Sequence, residues 1–140
     1  MKVLVIDDDK PVRQDWFADV FARFYPDWEV HVAWDADEAL EAFKEHEFDL
    51  AFFDHDLGPG KNGSQIAYEM LNNPDIYTAP KCVWVHTNNS VGARNIVAHF
   101  HSAARGEPPR EIPYHVEMFG YHFMRLLKNR EEFEQYILRP

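Results

Sequence analysis

The chain of 140 residues is 46% hydrophobic and 15% aromatic, and it carries 24 acidic against 14 basic side chains for a formal net charge of −10. That length supports one domain, residues 1–140, with its own core. So acidic a chain excludes a general duplex DNA or RNA coat, because neutralising phosphates needs a basic face.

Contact with a small phosphate or one RNA end is still compatible with this balance, because the charge is uneven. Residues 1–70 hold 6 Lys/Arg and 17 Asp/Glu, a balance of −11, whereas residues 71–140 hold 8 and 7, a balance of +1. The single cysteine, Cys82, excludes an intramolecular disulfide framework and a thiol-based zinc site, and it suits a reducing cytoplasm. The apolar start runs into Asp7, Asp8 and Asp9. It is too short for a signal peptide or a membrane span, so a cytoplasmic domain with no membrane partner is expected.

Lys2–Ile6 is a short apolar run rich in β-branched residues, the pattern of a strand buried on both faces. Asp9 and Pro11 then signal a helix in which Val12, Trp16, Phe17, Val20, Phe21 and Phe24 recur at helical spacing, ending near Pro26. Trp28–Trp34 alternates with period two, and Asp35 caps a helix with Ala39, Leu40 and Phe43 on one side. A strand at Leu50–Phe53, a loop with Gly58, Gly60 and Gly63, a helix over Ser64–Leu71 and a strand at Lys81–Val85 follow. Asn89 or Ser90 caps a fourth helix to about Arg105, and Gly106–Pro113 reads as a connector. Alternating strands and helices predict a parallel sheet covered on both faces, with ligands beyond the carboxyl ends of the strands.

Those strand ends carry the chemistry. Asp7, Asp8 and Asp9 follow the first strand; Asp54, His55 and Asp56 the third; and His86, Thr87, Asn88 and Asn89 the fourth. Converging carboxylates raise one another's pKa unless a cation compensates them, and a hard divalent ion such as magnesium (Mg2+) is the economical partner. Taken alone, Asp7–Asp9 would equally suit a solvated turn and helix cap. Charge placed directly after the buried Leu50–Phe53 run is harder to read that way.

Val5-Ile6-Asp7-Asp8-Asp9 followed by Phe48-Asp49-Leu50-Ala51-Phe52-Phe53-Asp54 resembles the receiver domain of bacterial response regulators. The resemblance covers the chain to about Phe100 and implies a CheY-like, flavodoxin-like three-layer α/β/α fold with a five-stranded parallel sheet. It also implies Mg2+ at Asp7, Asp8 and Asp54 with the backbone carbonyl of Asp56, phosphorylation on Asp54, and Thr87 as the phosphate-contacting hydroxyl. The loop Asp54–Gly63 is a residue longer than in receivers and has Gly58 before Pro59. Together with His86-Thr87-Asn88-Asn89-Ser90-Val91-Gly92-Ala93-Arg94-Asn95, it is similar to a divergent group, the cyclic-phosphate-processing receivers. That likeness implies action on a cyclic phosphate of a nucleotide or RNA end; the plain receiver likeness implies a histidine kinase as partner. Either is compatible with a homodimer.

Opening a cyclic phosphate needs proton donors and acceptors as well as dipoles or cations on its oxygens, which makes His55 and His86 candidates for proton transfer. Thr87, Asn88, Asn89, Arg94 and Asn95, the last two expected in the first turn of the fourth helix, are candidates for holding the phosphate. Strand parity divides them: Thr87 and His86 point opposite ways, as do Asp54 and His55.

The C-terminal segment departs from the receiver pattern and has two readings. In one, Tyr114–Phe119 is the fifth strand and a final helix spans about Gly120–Leu138. In the other, Phe123–Leu127 is that strand and Lys128 contacts phosphate, at the cost of about 20 inserted residues relative to the receiver pattern. The first needs no such insertion and is favoured.

Overall fold

A computed structural model describes residues 1–104 and 112–137. Five strands, β1 (Lys2–Ile6), β2 (Glu29–Ala33), β3 (Leu50–Phe53), β4 (Val83–Val85) and β5 (Tyr114–Val116), form one parallel sheet in the order β2-β1-β3-β4-β5. Six α-helices accompany them among the described residues: α1 (Asp15–Phe24), α2 (Ala36–Glu45), α3 (Gly63–Asn72), α4 (Ser90–Ala104), α5 (Tyr121–Lys128) and α6 (Arg130–Ile137). This is the flavodoxin-like receiver architecture. The Gly106–Pro113 connector lies outside the described residues except at its last two positions.

Side-chain parity along the strands builds two cores. Val3, Val5, Leu50, Phe52, Cys82 and Trp84 pack against α1, α5 and α6 through Phe17, Phe21, Phe123 and Phe133. Leu4, Ile6, Ala51, Phe53, Val83 and Val85 pack on the other face against α2, α3 and α4. The central strands are thus apolar on both faces, as expected of buried parallel strands.

Two elements differ from the sequence reading. The first helix opens with a π-helical turn, Lys10–Gln14, in which the Gln14 N–H reaches back to the Asp9 carbonyl at 3.0 Å. The long final helix is two helices broken at Asn129. Its backbone leaves helical geometry (φ −102°, ψ 85°), and its side-chain oxygen accepts from the Glu132 N–H at 3.3 Å to start α6. Tyr114–Val116 as the fifth strand agrees with the favoured reading. Among the described residues no helix is long and apolar enough to cross a membrane.

Candidate functional site

The register of the sheet assembles the site. Ile6 pairs with Phe53, and Phe53 with Val85. The ladder then runs one residue further, the Asp54 N–H donating to the Ile6 carbonyl at 3.0 Å and the His86 N–H to the Phe53 carbonyl at 2.9 Å. Asp7, Asp54 and His86 therefore stand side by side, and parity turns all three toward the α1/α5 face. Each is buried, and their ligating atoms lie within 4.8 Å of one another.

His86 Nε2 lies 2.9 Å from Asp7 Oδ2, while Nδ1 is buried with no partner among the described residues. The ring sits among Phe17, Phe52, Phe119 and Phe123, its centroid 5.4 Å from that of Phe17. A carboxylate oxygen can only accept, so Nε2 carries a proton and donates it to Asp7.

The other carboxylate oxygens are held by backbone. Asp7 Oδ1 accepts from the Asp9 N–H at 2.9 Å, and Asp54 Oδ1 from the His55 N–H at 2.8 Å. Two residues absent from the sequence reading complete the set. The Gln14 side-chain amide donates to the Asp7 carbonyl, and Arg13 Nη1 lies 3.3 Å from Asp54 Oδ2 and 3.7 Å from Asp7 Oδ2. Both come from the π-helical turn, whose extra residue rotates the start of the helix over the strand ends. Helical periodicity carries no signal for such a turn.

Burial, and then the neighbouring Asp7 charge, hold the Asp54 carboxyl above its ordinary range, against the opposing pull of His86, a Thr87 hydrogen bond and Arg13. Exposed Asp8 is raised as well, by partial desolvation and by Asp7. A raised carboxyl binds protons more tightly in the native state than in the unfolded chain. Its contribution to stability therefore falls as pH rises from the ordinary carboxylate range through the folded-state value. Asp54→Asn is expected to raise the melting temperature at neutral pH, to have less effect near pH 4, and to abolish any rise in melting temperature on adding Mg2+. Thermal melts with and without the ion check all three.

His55 lies on the opposite face, as parity requires. Its ring packs on Gly92 in the first turn of α4 so closely that a Cβ there would stand 2.3 Å from His55 Cγ. His55 Nδ1 is 3.0 Å from Asp56 Oδ1, and that hydrogen bond heads the causes that lower the Asp56 carboxyl. Asn89 caps α4 by accepting from the Gly92 N–H at 2.9 Å, and its amide reaches Asp56 at 3.4 Å. Thr87 links the two groups: its Oγ1 accepts from the Asn89 N–H at 3.1 Å, and a hydrogen bond ties it to Asp54. Asn88, with its amide oriented by the network, accepts from Arg13 Nη2 and donates to the Phe119 carbonyl, both at 3.1 Å.

Three expected residues are not gathered in this way. Arg94 and Asn95 are exposed and lie in the second turn of α4, past the free N–H groups, because the helix begins at Ser90. Lys128 is exposed at the end of α5. The preceding Leu127 carbonyl accepts from Tyr25 at the C-terminus of α1, at the pole opposite the strand carboxyl ends. Lys128 is thus corrected from a phosphate contact to a surface residue, because Phe123–Leu127 is helical rather than a strand.

The family model described as the cyclic-phosphate processing receiver domain matches residues 1–102. The chain belongs to this family. Solved structures share its fold at low identity. The phosphorylated cyanobacterial phytochrome response regulator RcpA superposes with a TM-score of 0.64 at 18% identity, covering 94% of this chain and 91% of its own. The response regulator TrrA of Thermotoga maritima, in complex with Mg2+ and BeF, gives 0.56 at 21% identity, with 96% and 97% coverage. The N-terminal domain of a Wolinella succinogenes protein gives 0.68 at 19%, with 96% and 94% coverage. No curated protein sequence matches the chain.

For a receiver-family domain, the residues present fit a divalent cation. Asp7 and Asp54 converge at the sheet edge, and the Asp54 carboxyl is raised despite Arg13 and His86, so the pair is under-compensated by the protein alone. Exposed Asp8 lies beside Gly58 of the β3–α3 loop, whose φ of +75° brings the backbone near its carboxylate.

Proposed function

We propose that this domain binds a phosphate at the carboxyl edge of its sheet and, with a divalent cation, processes a cyclic phosphate on a nucleotide or RNA end. The observation that supports this most is the buried His86–Asp7 hydrogen bond of 2.9 Å beside Asp54, which builds imidazole into a carboxylate pocket. A bound Mg2+ supplies positive charge to the phosphate oxygens.

The chain's own residues divide the remaining tasks. His86 is sealed from solvent, so it acts as a positioning residue that fixes the Asp7 carboxylate. His55 is partly exposed and is the imidazole that a substrate can touch. Thr87, Asn88 and Asn89 offer hydroxyl and amide groups around the phosphate, with Arg94 and Asn95 exposed one turn further along α4. In the reaction water adds to phosphorus and the bond to one ribose oxygen breaks. The water's proton passes to a base of the site while His55 protonates the leaving oxygen, giving a phosphomonoester.

Incubation with 2′,3′-cyclic nucleotides and Mg2+ is expected to yield nucleoside monophosphate. His55→Ala should slow turnover by roughly 100-fold; equal rates would remove His55 from the chemistry. The second reading, phosphorylation of Asp54 by a histidine kinase, draws on the Thr87 contact to an Asp54 seated at the end of β3. It predicts a labile acyl phosphate on Asp54 after incubation with a small phosphodonor, with no turnover of cyclic nucleotides.

A further inference from the structure

We propose that Arg13 is the protein's own counter-ion for the Asp7–Asp54 pair, displaced from it by a divalent cation, and that the displaced guanidinium then contacts the phosphate. The phosphate half rests on the function proposed above; the competition with metal does not.

Receivers place a lysine against the phosphoryl group, but here Lys128 stands at the far pole. Among the described residues, Arg13 is the one Lys or Arg with ion pairs to both Asp7 and Asp54. Its seat on the carboxylates is loose. Nη1 is at the long end of hydrogen-bond range from Asp54, at 3.3 Å, and beyond it from Asp7, at 3.7 Å, so the fork is bidentate on neither. The other side of the guanidinium has a seat of its own. Nη2 donates to the Asn88 oxygen at 3.1 Å, and the group lies over the Phe119 ring with its carbon 5.3 Å from the centroid.

A divalent ion on Asp7 and Asp54 meets the guanidinium as a like charge and repels it. The Asn88 and Phe119 contacts do not involve those carboxylates, so the guanidinium can pivot on them, swinging Nη1 away from Asp7 and Asp54 while Nη2 stays on Asn88. Arg13 is one-fifth exposed, so its freed face is open to solvent at the strand ends. A planar fork there suits two phosphate oxygens. The π-helical turn sets the reach: a one-residue change in winding would rotate Arg13 away from the strand ends.

The test uses Mn2+ alone, followed by electron paramagnetic resonance of the free ion, and then inorganic phosphate in the presence of saturating Mg2+, followed by calorimetry. Removing a competing cation should tighten Mn2+ binding in Arg13→Ala roughly tenfold, and losing the fork should weaken phosphate roughly tenfold. Arg13→Lys keeps the charge and should hold Mn2+ affinity near wild type while losing part of the phosphate affinity. Arg13→Gln repeats the comparison should the alanine variant fail to fold, and Lys128→Ala should match wild type in both titrations. Unchanged or weaker Mn2+ binding without the Arg13 charge overturns the counter-ion role. Tighter Mn2+ binding with unchanged phosphate binding overturns the phosphate contact. A wild type that takes Mn2+ but no phosphate defeats both the phosphate contact and the function above, while the Mn2+ comparison still decides the competition.

Discussion

His86→Ala is expected to destabilise the protein by about 3–5 kcal/mol, as removing one partner of a buried pair does. The substitution leaves Asp7, which is fully buried, without its 2.9 Å hydrogen bond. It also opens a void between Phe17 and Phe123, which flank the imidazole. A double-mutant cycle separates the two effects. If the hydrogen bond is the main loss, Asp7→Asn and His86→Ala together cost less than the sum of the single changes by roughly 1 kcal/mol or more. Urea unfolding of the four proteins measures it, and strict additivity would show that the two side chains do not act as a pair.

Gly63→Ala should cost about 1–3 kcal/mol through overpacking. A Cβ at Gly63 would lie 2.1 Å from the Asp54 carbonyl oxygen and 3.1 Å from His55 Cα, both backbone atoms that no rotamer can move. The Gly63 N–H already donates to the His55 carbonyl at 2.8 Å, pinning the start of α3 against the strand end. Glycine is required there for space rather than conformation, since positive φ occurs at Gly58 and Gly60 but not at Gly63. The strain falls on the backbone that carries Asp54, so Mg2+ should also lose much of its stabilising effect in this variant. Gly120→Ala is the control: its nearest contact would be the Met118 carbonyl at an ordinary 3.9 Å. Equal stabilities of the two variants would refute the close approach at Asp54.

Much of the fold is legible from local signals. The apolar runs at β1 and β3 read as buried parallel strands because both faces are covered, and Asp35 marks α2 by capping it, its side chain accepting from the Glu38 N–H at 2.8 Å. Parity along β3 and β4 separates His55 from Asp54 and His86 from Thr87. What parity cannot supply is the offset between strands. Only the pairing of Ile6 with Phe53 and of Phe53 with Val85 shows that the strands end level, which puts His86, rather than Thr87, in line with Asp7 and Asp54. The same long-range pairing settles the C-terminal segment: β5 is Tyr114–Val116 because it bonds to β4, and Lys128 goes with the helix that follows.

By itself, then, the sequence determined the alternation of strands and helices, the family motifs and the acidic first half, because these depend on residues near one another in the chain. The side-chain partners of Asp7 and Asp54 were decided by tertiary structure. Asp7 meets His86 across 79 residues, and Arg13 meets Asp54 across 41. The acidity at the strand ends is met in part by an imidazole and a guanidinium of the protein itself, through strand register and a single π-helical turn, neither of which leaves a periodic trace in the sequence.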